Sequence, residues 1–259
     1  LDFLARYAVE KVICFFNKVD DVWVVNKATS ETLRSYGYKG PLRVVYNGTD
    51  FTFPESPEKE SAIVNERLQL SPDEFVFLFV GQHIWHKNVR LIIESLHHLK
   101  MKGAKFKMIF VGTGHAARGM KKLVKQLELE AYIYFMGVIQ DRNLLKALFI
   151  RSDLFLFPSV YDNAPIVVRE AAACRCPSVL IEKTNAAEDI IDNYNGFLAP
   201  NDAVLYAECL FKLIIDRGKI RQVGLAAQKT ISKGWEELVD DVYENYLEVI
   251  NRYQMKNKV

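Results

Sequence analysis

Apolar residues in this chain fall into short unbroken runs, and between them lie stretches where apolar positions recur every three or four residues. That alternation predicts parallel strands wrapped by helices. Runs at 22–25, 43–46, 75–80, 107–111, 133–136, 154–157 and 178–181 read as strands. Helical spacing is expected over 29–36, ended at Gly37, over 89–100, over 118–129 with a basic face, and over 144–149. A further helix is expected near 186–192, then a turn at 193–196 and two helices that close the chain. Residues 47–60 read as the turn Asn47-Gly48 followed by a polar, proline-bearing loop. The first 19 residues form an amphipathic pattern that begins at Leu1, without Met and in mid-helix, which suggests a piece of a longer chain. The fold class expected is α/β.

Candidate chemistry sits where strands end. The run 154–157 stops at Pro158-Ser159 and opens into a loop carrying Asp162. Asn163 is a helix-capping residue type, and Pro165 suits a first helical turn because its φ is fixed and it has no N–H. The residues Val-Val-Arg-Glu-Ala-Ala-Ala that follow favour a helix, which places Glu170 in its early turns. Such a helix start attracts an anion, and an ionised carboxylate nearby accepts hydrogen bonds from neighbouring hydroxyls. A phosphate and a sugar diol would satisfy both. The run 75–80 ends at Gly81, and Lys87 follows six residues later. Gly112 and Gly114 make a G-x-G after the run 107–111, without the third glycine and later acid of a dinucleotide fingerprint. Each feature has a plainer reading: Asp162 as a turn former, Glu170 and Lys87 as solvated charges, the two glycines as a strand-to-helix turn.

The ordered series N-G-x-D (47–50), G-x5-K (81–87), V-G-x-G (111–114), G-V (137–138), P-S (158–159), D-x7-E (162–170) and N-G-F-L (195–198) resembles the C-terminal half of the retaining glycosyltransferases of family four. The resemblance covers roughly residues 20–250 and implies a GT-B fold with a Rossmann-like parallel sheet. It implies that Glu170 holds the nucleotide ribose, that Asp162 contacts the donor sugar, and that Lys87 reaches the diphosphate. It further places Gly81, Gln82, Gly112, Gly114 and the stretch around Val138 beside the nucleotide, and Asn163, Ala164 and Pro165 in the phosphate-facing segment. Three departures stand out. Asp replaces Glu at 162, which shortens the arm by a methylene; Gln82 stands where the family carries Arg; and Asn163-Ala164-Pro165 replaces a glycine-rich stretch, with Pro165 lacking one donor. Lys87 and Asp162 are the expected catalytic groups. His83, which follows the position that usually carries Arg, and Glu188 are further candidates for facing the donor, with a solvated helix acid as the plainer reading of Glu188.

The resemblance also implies a domain organisation: residues 1–38 as a remnant of an acceptor-binding domain, 39–234 as the donor-binding domain, and 235–259 as a C-terminal helix that crosses back toward the first. The expected activity is transfer of a hexose from a UDP- or GDP-type sugar to a hydroxyl acceptor, a carbohydrate or a lipid-linked one, in glycan or glycolipid synthesis. With most of the acceptor domain outside the chain, the 259 residues alone are expected to be inactive. The alternatives are a non-catalytic nucleotide-sugar-binding module and a GT-B-like nucleotide-sugar epimerase.

Composition adds exclusions. A net charge of +2, from 34 Lys and Arg against 32 Asp and Glu, argues against a nucleic-acid partner. No apolar stretch reaches the roughly 18 residues of a membrane span. The basic residues at 100–107 and 118–125 read as solvated faces, with peripheral contact to anionic lipid as the alternative if the acceptor is a lipid. Cysteines at 14, 174, 176 and 209 form no C-x-x-C pair or disulfide framework, so a reduced, cytoplasmic protein is the simpler expectation. The five histidines lack metal-site spacing, and no cofactor or metal is expected.

Overall fold

The computed structural model describes residues 2–256. Leu1 and residues 257–259, which the sequence pattern assigns to the first and last helices, lie outside the described residues. Two compact units are present. One combines the residues up to Gly48 with those from Lys233 onward, and the other is Thr49–Ser232.

In the first unit, α1 (Asp2–Phe16), β1 (Val22–Val24), α2 (Lys27–Ser35) and β2 (Leu42–Val44) are joined by the last helix, Trp235–Lys256. β1 and β2 pair in parallel with Val22 opposite Leu42. Asn26 caps α2 by accepting the Thr29 N–H at 2.8 Å. Asp21, nearly buried, accepts from Arg43 at 2.9 Å and from Arg252 at 2.5 Å, which fastens the last helix to the strand pair. Trp23 packs on Tyr246 of that helix with ring centroids 4.8 Å apart.

The second unit is a six-stranded sheet, parallel at every pair: β3 (Val76–Val80), β4 (Lys107–Val111), β5 (Ile133–Gly137), β6 (Leu154–Phe157), β7 (Ser178–Ile181) and β8 (Phe197–Ala199). Every residue of β3, β6 and β7 is buried, as expected of strands covered on both faces. Helices α3 (Pro57–Leu68), α4 (Val89–Met101), α5 (Ala117–Gln126), α6 (Arg142–Arg151), α7 (Ile166–Ala173), α8 (Ala203–Ile215) and α9 (Arg217–Thr230) wrap it. The order across the sheet is β5-β4-β3-β6-β7-β8. From β3 the chain winds outward through β4 to β5, then returns to lay β6 against the other side of β3 and winds away again. The direction reverses between β3 and β6, and the crevice beyond the carboxyl ends of two such strands is where open α/β sheets bind ligands.

Several expectations need correction. The loop expected through residue 60 ends at Ser56, and residues 57–60 already open α3, whose Pro57 and first-turn Glu58 and Glu60 are helix-starting residues. The helix expected near 186–192 is a single 3-10 turn, Asn185–Ala187. The Asn195 side chain takes backbone groups a helix there would need, accepting from the Ile191 N–H at 2.7 Å and donating to the Asp189 carbonyl at 3.0 Å. β8 was not anticipated, being three residues long. Three helices, not two, close the chain, because Asp216 interrupts the apolar periodicity and caps α9 by accepting the Lys219 N–H at 2.9 Å.

No described helix is long and apolar enough to cross a membrane. The four cysteines are unpaired.

Leu156, wholly buried in β6 opposite Val179, tests how much of the fold rests on the central strands. Leu156→Ala is expected to lower unfolding free energy by about 2–5 kcal/mol, read from urea denaturation.

Candidate functional site

The loops at the carboxyl ends of β3 and β6 are tied together. The residues after β3 run through a 3-10 turn, Trp85–Lys87, to Asn88, whose φ of 58° turns the chain into α4. The Asn88 amide donates to the Pro158 carbonyl at 3.2 Å and to Asn201 Oδ1 at 2.8 Å, so one side chain joins the loop after β3 to the loop after β6. This bridge sets Lys87 Nζ 2.5 Å from Asp162 Oδ1, with the ammonium 5.4 Å from the centre of the Phe157 ring. Asp162 Oδ2 and the Ser159 hydroxyl are buried and have no hydrogen-bond partner among the described residues. Buried polar atoms are rarely left so, and unsatisfied ones concentrate where a ligand or water completes the site.

Glu170 lies on α7, buried, and accepts a hydrogen bond from Arg142 Nη2 at 2.8 Å. Arg142 also donates to Asp50 and stacks 4.1 Å from the centre of the Phe51 ring. The Arg142 hydrogen bond holds the Asp50 carboxyl below the usual carboxylate range. Burial works to lower the Arg142 pKa, but the bonds to Asp50 and Glu170 outweigh it and hold the guanidinium above its ordinary value. Arg142 carries no motif and was not legible as a functional candidate; its role follows only from α6 lying beside α7.

Asn163 is not the cap of α7. Pro165 occupies that position with φ −70° and ψ 119°, and the helix begins at Ile166. Asn163 Oδ1 instead accepts from the Asn185 amide at 2.9 Å. Since Pro165 has no N–H, the first free donors belong to the opening turn of α7. Glu188 is half-buried at the end of the 3-10 turn after β7.

Gly112 and Gly114 have a packing cause. A Cβ on Gly112 would stand 2.0 Å from the Gly81 carbonyl oxygen, at a φ of 124°, and one on Gly114 would stand 2.4 Å from the His83 carbonyl oxygen. The loop after β3 thus presses directly on the loop after β4. Backbone bonds stitch the strand ends: Gly81 N donates to Val111 O at 3.0 Å, His83 N to Thr113 O at 2.9 Å, and Gly112 N to Gly137 O at 2.7 Å. Gln82 lies exposed in this stitched segment. Val138 is exposed just beyond β5, the edge strand, two strands away from β3.

His83 is buried among Phe79, Phe110 and Phe135, its ring hydrogen-bonded to the Val111 carbonyl and its Nε2 without a partner among the described residues. Burial is the main cause that lowers its pKa, and the Lys121 charge adds to it. Among the described residues no group of three or more His, Cys, Asp or Glu is placed to hold a metal ion.

Two outcomes are expected from this packing. Gly112→Ala is expected to destabilise the protein by about 2 kcal/mol or more, seen as a lowered urea midpoint, since both the backbone angle and the Gly81 carbonyl oppose a Cβ. His83 is neutral in the fold and its pKa there is depressed, so the unfolded chain binds more protons below the ordinary histidine pKa of about 6.5. Stability is therefore expected to be full above that pH and to decline as pH falls toward the depressed folded value. His83→Leu is expected to flatten this dependence in denaturation curves measured from pH 7 downward.

The profile of the family described as glycosyl transferases group 1 matches residues 62–230, which contain β3 through β8 and every strand-end loop described above. Among curated proteins, a D-inositol 3-phosphate glycosyltransferase of Xylanimonas cellulosilytica is 26% identical over 225 residues, covering 82% of this chain and 52% of its own length. The human alpha-1,3/1,6-mannosyltransferase ALG2 is 23% identical over 272 residues, covering 99% of this chain and 61% of its own length. The chain spans between 42% and 66% of the length of curated relatives it matches. Anabaena HepE, solved with UDP and glucose, superposes with a TM-score of 0.80 at 19% identity, over 94% of this chain and 67% of that one. The sheet and its helices are thus those of the GT-B glycosyltransferases, and the chain belongs to the group 1 glycosyl transferases.

Proposed function

We propose that this chain is the donor-binding half of a retaining glycosyltransferase that moves a hexose from a UDP- or GDP-type sugar to a hydroxyl acceptor. The observation that carries the reading is the meeting of Lys87 and Asp162, 2.5 Å apart, at the point where strand order reverses. A diphosphate leaving group gains negative charge as the glycosidic bond breaks, and charge placed to meet it lowers the barrier. In this scheme Lys87 and the first turn of α7 meet the diphosphate. Lys87 then exchanges its carboxylate partner for phosphate oxygens, and Asp162, with one oxygen already lacking a partner, accepts from the sugar hydroxyls. Glu170 anchors the ribose, and its bond to Arg142 fixes the carboxylate in place. Gly81, Gly112, Gly114 and Val138 form the wall beside the base.

No metal or cofactor enters this scheme. The acceptor, a carbohydrate or a lipid-linked hydroxyl, would approach from a domain of the kind that lies outside the matched half of the longer relatives. The 259 residues alone are accordingly expected to bind donor without transferring it.

Lys87→Ala removes a charged partner of the diphosphate, worth on the order of 1.5–3 kcal/mol, so affinity for UDP or GDP is expected to fall ten-fold or more in calorimetric titration. Unchanged affinity would remove Lys87 from the site. Transfer by the isolated chain at rates typical of a complete enzyme would show that no second domain is needed.

A further inference from the structure

A second cavity lies at the other end of the sheet. Asp153, just before β6, accepts the Val76 N–H at 2.8 Å and so joins the amino ends of β3 and β6. Around it, Arg151, Arg175, Arg217, Arg221 and Phe53 line a cavity of about 330 Å³. That volume is at the lower end of the roughly 300–1,000 Å³ of small-molecule sites. Arg217, Arg151 and Arg221 act on the Asp153 carboxylate and Arg175 lines the same cavity, yet burial holds that carboxyl above the usual range.

Bracing of the fold accounts for only two of these cations. Arg151, buried, donates to Asn65 Oδ1 at 2.5 Å and to the Ser71 and Glu74 carbonyls at 3.0 Å each. Arg217 donates to the Asp73 carbonyl at 2.8 Å and stacks 5.2 Å from the Phe75 ring centre. The other two keep donors in hand. Arg221, four positions after Arg217 and so on the same face of α9, makes no hydrogen bond or ion pair among the described residues. Arg175 bonds through Nε alone, to Gln228 Oε1 at 2.7 Å, while its guanidinium lies 3.8 Å from the Phe53 ring centre.

Arg175 is also held in a costly backbone conformation. Its φ is 56°, and α9 closes on its carbonyl so tightly that a Cβ on Gly224 would stand 2.2 Å from the oxygen. The backbone, the stacked ring and Gln228 together fix the direction of a planar fork whose terminal amino groups have no partner among the described residues. Such forks match phosphoryl oxygens two at a time.

We propose that this cavity binds a phosphoryl dianion, either inorganic phosphate or the phosphate of a phosphorylated monosaccharide, with Arg175 and Arg221 as its principal ligands. Helix α7 runs from the Lys87–Asp162 site at its start to Arg175 just past its end, a span of roughly 12 Å. The two sites therefore share one rigid element but no side chain.

Equilibrium dialysis of the 259-residue chain against labelled inorganic phosphate, and separately against glucose 6-phosphate, tests the assignment. Arg175→Gln combined with Arg221→Gln is expected to weaken binding ten-fold or more, while Lys87→Ala leaves it unchanged. Arg221→Gln alone, which removes no hydrogen bond or ion pair among the described residues, is expected to weaken binding several-fold with little change in thermal unfolding. Tighter binding of glucose 6-phosphate would identify the ligand as the sugar phosphate, and equal or tighter binding of inorganic phosphate would identify the free anion. The proposal is overturned if neither anion binds at millimolar concentration, if both arginine variants bind as the parent does, or if Lys87→Ala abolishes the binding.

Discussion

The parallel pairing of β3 with β6 is the constraint on which the rest of this structure depends. These strands are separated by β4 and β5 in sequence, yet Phe77 sits opposite Leu154 and Leu78 opposite Phe155. Their side chains are wholly buried on both faces, so the register is fixed by packing that tolerates little slip. Because the strands are parallel, both carboxyl ends open on the same edge of the sheet. Lys87 and Asp162 can meet only for that reason, and Asn88 then locks the two loops to each other.

The same pairing builds the opposite edge. Asp153 satisfies the first N–H of β3 from the chain just before β6, and the arginines collect around it. One end of the sheet therefore presents Lys87 and Arg142 among the acids Asp50, Asp162 and Glu170, and the other presents guanidiniums in excess of carboxylates. Charge is divided between the two ends although the chain as a whole is close to neutral. Helix α7 passes between them, with Glu170 in its body held by Arg142 and Arg175 just past its last turn.

The loops beyond β3, β4 and β5 are set by backbone contact more than by side chains. Gly112 and Gly114 leave room for the Gly81 and His83 carbonyls, and the strand ends exchange hydrogen bonds directly. A place beside a nucleotide and a packing role are compatible at these positions, because a residue without a Cβ leaves room for close backbone approach. His83 shows the cost of such tight packing, since it is buried with one ring nitrogen unsatisfied.

The sequence by itself determined five of the six strands and most helices of the second unit, because runs such as VFLFV and LFLF are too apolar and too short to be anything but covered strands. It also determined which residues stand at strand ends, so Gly81, Lys87, Asp162 and Glu170 were legible as candidates before any coordinates. Segments whose backbone is satisfied by side chains were not legible: residues 186–192 have helical spacing, but the Asn195 side chain takes the Ile191 N–H and the Asp189 carbonyl, a pairing that apolar periodicity does not encode. The start of α3 was hidden for a related reason, since proline and acids mark loops and helix starts alike. Only the tertiary structure decided that Lys87 pairs with Asp162, that Arg142 secures Glu170, and that four arginines share one cavity. Those contacts join residues far apart in the chain, and their geometry comes from strand order and helix packing, which spacing along a sequence does not record.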